Sequence, residues 1–136
     1  MKPTNQIAAL PTRRGLDGQL EILLVTSRET HRWVIPKGWP MRNLADHLAA
    51  AEEAWEEAGV KGLLDEKALG SFTYDKRRRS DVIALDVTVY LMKVAEVFDT
   101  WPEARERERA WFSITDAAEA IAEPELRAII LGLAEK

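Results

Sequence analysis

Apolar and polar positions divide the chain into recognisable elements. Residues about 4–14 read as a strand that ends at the turn Gly15-Leu16-Asp17-Gly18, and Leu20 to Thr26 (LEILLVT) reads as a buried strand following it. That pair is a hairpin candidate. Trp33-Val34-Ile35 is a short extended piece held out of helical geometry by Pro36, and Lys37-Gly38-Trp39-Pro40 continues as a loop. From Leu44 to Ala58 the chain is rich in Ala, Leu and Glu and lacks Gly and Pro, which predicts a helix with Asn43 placed to cap its start and Gly59 at its end. Residues about 68–75 and 81–94 alternate or run apolar and predict two strands joined through Lys76-Arg77-Arg78-Arg79. A charged loop from Asp99 to Arg109 leads to Trp111-Phe112, then to a helix capped by Thr115 and a last helix starting at Pro124. Strands and helices interleave with short connections, so the expected fold class is α/β, a layered domain with a mixed sheet.

The chain has 136 residues, and no repeat, low-complexity tract or linker interrupts it, so one domain over 1–136 is expected. A chain this long buries roughly two-thirds of its unfolded surface and needs no staple. It has no Cys, which excludes disulfides, thiolate metal sites and a cysteine nucleophile, and only two His, His31 and His47, so any metal should be held by oxygen ligands. No stretch approaches a membrane span and no targeting segment stands out, which makes the cytoplasm the expected location. A net charge of −4 argues against a broad nucleic-acid surface but leaves room for a local basic patch that holds a small anion.

The predicted helix carries concentrated charge. On a wheel at about 100° per residue, Glu52, Glu53, Glu56 and Glu57 share one wedge, while Leu44, Leu48, Ala51, Ala54, Trp55 and Ala58 fall on the opposite arc. Such a run is ordinarily a solvated face. Here Glu52/Glu56 and Glu53/Glu57 are like-charge i,i+4 pairs, each costing roughly 0.2–0.5 kcal/mol, with no Lys or Arg inside the run to offset them. A divalent hard cation would compensate, and Mg²⁺ typically binds through carboxylates, waters and substrate phosphates. Phosphate chemistry follows as the leading reading.

The same residues resemble the Nudix hydrolases, whose signature is G-x5-E-x7-R-E-U-x-E-E-x-G-U with U a bulky aliphatic. Gly38, Glu53, Glu56, Glu57, Gly59 and Val60 all fall in register. Leu44 stands where the first Glu belongs, Glu52 where the Arg belongs, and Ala54 is small for its U position. Thr26-Ser27-Arg28, Arg32-Trp33, Pro36-Lys37-Gly38, the turn Lys76 to Arg79, and Arg109-Ala110-Trp111-Phe112 with Asp116-Ala117 resemble the branch that hydrolyses diphosphoinositol polyphosphates and diadenosine polyphosphates.

The resemblance implies an α/β/α sandwich and a pyrophosphohydrolase dependent on Mg²⁺ or Mn²⁺, acting on a polyphosphorylated small molecule as a monomer or homodimer. It implies Glu53, Glu56, Glu57 and the Gly38 carbonyl as metal ligands, with Glu53 or Glu57 as the base. The absent Arg would be an orienting, charge-balancing partner of the acids. Lys76, Arg77, Arg78 and Arg79 would hold polyphosphate by charge-assisted bonds, with Arg28, Arg32 and Lys37 reaching the same anion. The alternating charges from Asp99 to Arg109 read as a mutually screened loop from which Glu106 or Glu108 could supply a further ligand. Trp39 could lie beside a base or ring of the substrate. Two alternatives stand beside this reading: a non-catalytic nucleotide- or polyphosphate-binding module, motivated by Leu44 and Glu52, and an RNA 5′-pyrophosphohydrolase.

Overall fold

The computed structural model describes residues 4–135, with side chains through Ala134; Met1-Lys2-Pro3 and Lys136, the ends of the expected domain, lie outside the described residues. Strand β1 (Asn5–Arg14) turns through Gly15–Gly18 into the antiparallel β2 (Leu20–Thr26), with Thr12 opposite Ile22. β1 also runs parallel to β7 (Val82–Val97) along most of its length, from Asn5 opposite Asp86 to Thr12 opposite Lys93. That parallel pair makes the eight-stranded sheet mixed, because every other pairing is antiparallel.

The first half of β7 pairs with β6 (Gly70–Arg77) and the second half with β5 (Val60–Leu64), while β8 (Arg109–Ser113) lies along β2. Two very short strands, β3 (Trp33–Val34) and β4 (Lys37–Gly38), bring the intervening loop back to the sheet. Lys37-Gly38 is thus sheet rather than free loop: Gly38 pairs with Ile7 and Lys37 with Ala8 of β1. β5 was not expected. Basic residues expected in the β6–β7 turn begin earlier, since Lys76 and Arg77 are the last residues of β6.

β1 and β2 are buried on both faces, which is why they read as near-continuous apolar runs. Successive side chains alternate between two cores. Ala8, Leu10, Ile22 and Leu24 pack with Val87, Val89 and Phe72 beneath α2 (Ile114–Ala120) and α3 (Pro124–Gly132), which contribute Ala117, Ala118, Leu126 and Ile130, joined by Ile121 just after α2. Ile7, Ala9, Leu23 and Val25 pack on the other face with Tyr90, Met92 and α1 (Asp46–Glu53). Helices therefore cover both faces, as expected of an α/β/α sandwich. Among the described residues no helix is long and apolar enough to cross a membrane.

The acidic helix departs from its wheel. It starts at Asp46 rather than Leu44, with Ala45 at the cap position and no side-chain cap bond; Asn43 instead takes a left-handed turn at φ 64°. Ala54–Ala58 forms a π-helical turn, and Gly59 ends the helix at φ 67°, as the sequence requires. Of the wheel's apolar arc, Ala54 and Ala58 are buried against the sheet and Leu44 packs at the edge of that core, but Ala49 and Ala50 take the places given to Leu48 and Trp55; Leu48 is 46% exposed. Four methyl side chains let the helix backbone sit close to the sheet, and the wider π turn rotates Glu57 inward, which a constant 100° step misses. The cap of α2 also shifts: Ser113, not Thr115, accepts from the Asp116 backbone N–H at 3.1 Å.

Candidate active site

Glu53, Glu56 and Glu57 lie at the junction of α1 and the π turn, where the helix passes over β4. The Glu53 carboxylate packs so tightly on Gly38 that a Cβ at that position would collide with it. Glu57 is 8% exposed. Its carboxylate meets the Arg107 guanidinium, Oε2 to Nη2 at 3.5 Å, and the backbone of Lys37. Arg107 is itself buried, donating from Nε to Glu103 Oε1 at 2.7 Å and from Nη1 to the Thr26 carbonyl at 3.0 Å.

The segment bearing Glu103 and Arg107 is stitched to the π turn through the backbone. The Glu103 N–H donates to the Glu56 carbonyl at 3.0 Å, and Trp101 Nε1–H donates to the Glu57 carbonyl, also at 3.0 Å. Arg109 completes the helix end, donating to the carbonyls of Ala58 at 2.8 Å and Phe98 at 2.5 Å while stacking on Trp101. Free carbonyls at a helix end need such donors.

Burial and crowding set the protonation of these acids. Burial, followed by repulsion from Glu57, Glu56 and Glu103, raises the Glu53 carboxyl to about 8. Burial raises Glu57 to about 7 against the opposing pull of Arg107 and Lys37. Burial also lowers the Lys37 ammonium, although Glu57 and Glu123 both favour its charged form. Four carboxyls thus share a small space with two nearby cations, and burial raises the pKa of two of the four toward neutral pH.

The donors are hard oxygens, which fit a hard divalent cation. Among the described residues no group of three or more acidic or imidazole side chains is placed to hold a metal ion by itself. An ion there would draw the rest of its shell from water, a backbone carbonyl or substrate oxygens.

Glu57 also lines a groove of about 600 Å³ whose walls carry Arg28, Arg32, Lys37, Lys76, Arg77 and Arg107. Five of the expected substrate cations therefore converge on one opening with a buried carboxylate. Arg78 does not line it: its guanidinium makes two bonds to Asp81 across the hairpin. Arg79 is exposed and also lies outside the groove lining.

Apart from Arg107, the groove cations are lightly tethered. Arg28 reaches Glu106 at 3.5 Å, Arg32 reaches Glu123 at 4.0 Å, and the Lys37 ammonium lies 5.0 Å from the Tyr74 ring. The late acid whose charge acts on Glu53 and Glu57 is Glu103, while Glu106 faces Arg28. Glu103 and Arg107 read in sequence as an exposed, self-screened pair. Their i,i+4 spacing was the available signal, but only the fold shows that the pair faces inward. Glu123, from the turn between α2 and α3, was likewise not anticipated beside the groove.

A family model for the NUDIX domain matches residues 5–132. The chain is 36% identical over 113 residues to Nudix hydrolase 12, mitochondrial, of Arabidopsis thaliana, covering 77% of this chain and 55% of that protein. It is 35% identical over 104 residues to diphosphoinositol polyphosphate phosphohydrolase 3-beta of Homo sapiens, covering 74% of this chain and 60% of that protein. It therefore spans little more than half the length of these curated relatives. Its fold matches a C. elegans Ap4A hydrolase in a binary complex with a TM-score of 0.70 at 18% identity, over 97% of this chain and 96% of that one. With the signature glycine, the acidic helix and the whole sheet inside the matched span, the chain belongs to the Nudix hydrolase family.

Proposed function

We propose that this protein is a divalent-metal-dependent pyrophosphohydrolase that cleaves a phosphoanhydride bond of a polyphosphorylated small molecule. The substrate class is a diadenosine polyphosphate or a diphosphoinositol polyphosphate. The observation that carries the reading is the junction itself: a buried carboxylate, Glu57, forms part of the wall of a groove bearing six basic side chains. The relatives named for such substrates support the same class.

Glu53, Glu56, Glu57 and the Gly38 carbonyl would hold Mg²⁺ or Mn²⁺. A bound divalent ion supplies charge neutralisation at phosphoryl oxygens and lowers the pKa of water. Arg28, Arg32, Lys37, Lys76 and Arg77 bind and orient the polyphosphate by charge-assisted hydrogen bonds. Water attacks phosphorus, one P–O bond forms, the bridging P–O bond breaks, and Glu53 or Glu57 takes the proton of the attacking water. Burial gives both carboxyls a proton affinity near the operating range of a general base. The reading includes a single domain working in the cytoplasm as a monomer or homodimer.

Incubation of the purified protein with a panel of diadenosine and diphosphoinositol polyphosphates, with and without Mg²⁺ or Mn²⁺, tests the proposal. Metal-dependent release of phosphate or nucleotide is expected, and no release from any member would overturn it. A second reading, a polyphosphate-binding module without turnover, is favoured by one observation: Arg107 and Lys37 already neutralise part of the acidic cluster. Tight binding with ligand recovered intact after long incubation in Mg²⁺ would select it.

A further inference from the structure

No Lys or Arg lies between Arg42 and Lys61, so the acidic helix brings no ammonium or guanidinium of its own. Glu52, the residue in the signature's arginine position, is exposed and adds a further negative charge. The cluster nevertheless contains a buried guanidinium supplied by a distant part of the chain. Arg107 is 8% exposed at its side chain and is tied to three separate elements: it donates to Glu103 in its own loop and to the Thr26 carbonyl at the end of β2, and it pairs by charge with Glu57 in the π turn.

We propose that Arg107 is a positioning residue, supplying from the loop before β8 the buried positive charge that the acidic helix lacks and fixing the Glu57 carboxylate at the groove. The guanidinium fork makes this possible. Its planar donors point in several fixed directions, whereas an ammonium is a point charge on a flexible stem. The loop is pinned at both ends of the arginine, by the Glu103 N–H bond to the Glu56 carbonyl and by reciprocal bonds between Thr26 and Glu108. Arg107 is therefore held against the cluster by the backbone as well as by its ion pairs. Lys37 also favours the Glu57 charge, but from the β4 side and with its ammonium 5.0 Å from the Tyr74 ring.

The kinetic part of the test rests on the hydrolase reading, and the stability part does not. The variants are Arg107→Gln and Arg107→Lys, each made alone and with Glu52→Arg, which places a guanidinium one helical turn before Glu56. With diadenosine tetraphosphate and Mn²⁺, Arg107→Gln is expected to lower kcat by about a hundredfold, with KM nearly unchanged. Arg107→Lys should remain well below the parent. In metal-free urea unfolding, Glu52→Arg should raise the midpoint at least about twice as much in the Arg107→Gln background as in the parent, because neighbouring sites that serve one cluster are not additive. Should Arg107→Gln fail to fold, Arg107→Lys carries both comparisons.

A loss confined to KM would overturn the proposal by making Arg107 a direct phosphate contact. Equal midpoint shifts in the two backgrounds would also overturn it, leaving only a loop strut. If the parent hydrolyses nothing, the hydrolase reading fails and the urea comparison still decides the role of Arg107.

Discussion

A carboxylate with 8% of its surface exposed persists in a fold only when it is paired or protonated, and Glu57 has access to both states. Arg107 and Lys37 favour its charge, while burial favours the neutral acid. Replacing it with Gln keeps the shape and removes the conflict. We therefore expect Glu57→Gln to change folding stability by no more than about 1 kcal/mol while lowering turnover by about 10²–10⁴-fold. Denaturation and steady-state kinetics on one preparation check both halves.

The neighbouring acid gives a pH prediction with a definite sign. Glu53 and Glu57 lie at about 8 and about 7, above the ordinary 4.5, so between those values the folded state binds more protons than the unfolded one. The stability that these two acids contribute to the metal-free protein is then fully present below the ordinary carboxyl range and is lost as pH rises through about 7 and about 8. Mg²⁺, by favouring the charged acids, should flatten that slope. Urea midpoints across this range, with and without Mg²⁺, test it; metal-free stability that rises with pH would contradict the assigned protonation.

At the scale of elements, the acidic helix and its terminus position the chemistry. Gly59 ends the π turn in a left-handed conformation with Trp101 and Arg109 packed where a Cβ would lie. Gly59→Ala should therefore cost more than the roughly 1–2 kcal/mol of the backbone conformation alone, and the loop bearing Arg107 should loosen with it. Equilibrium unfolding measures the first effect and amide exchange at residues 101–108 the second.

The elements also show what a single sequence reveals. Leu20–Thr26 was legible because both its faces are buried, and Gly59 and Pro124 because local backbone chemistry ties them to helix ends. The side of α1 that meets the sheet was not legible: alanines are weak hydrophobic markers, and Leu48 and Trp55 outweighed them on the wheel. β4 and β5 escaped because their pairing depends on distant partners, Ile7 and Ala8 for one and the second half of β7 for the other. Glu53, Glu56 and Glu57 were visible as an acidic run, whereas Glu103 and Arg107 join them only through tertiary contact.

At the scale of the whole molecule, a chain with net charge −4 gathers Arg28, Arg32, Lys37, Lys76, Arg77 and Arg107 around one groove. The sheet accomplishes this by bringing the end of β2, the short β4 and the end of β6 to the same opening. Attraction of a polyphosphate to that field should be screened by salt, since the Debye length is about 10 Å at 0.1 M. KM should therefore rise with ionic strength while kcat holds. Lys76→Ala combined with Arg77→Ala should raise KM about tenfold or more, in line with the loss of charge-assisted bonds, and should weaken its salt dependence. Initial rates in a KCl series check both effects, and unchanged KM would remove the groove from substrate binding.

The central claim is that the acids on the α1 and π-turn junction grip a doubly charged ion beside a phosphorylated ligand. Its most direct test is Mn²⁺ titration of the purified protein by electron paramagnetic resonance, with and without diadenosine tetraphosphate, in the parent chain and in Glu53→Gln/Glu57→Gln. Saturable Mn²⁺ binding that tightens with the polyphosphate and disappears in the double variant is the predicted result. Absence of saturable binding in the parent, or binding undiminished in the double variant, would contradict the claim.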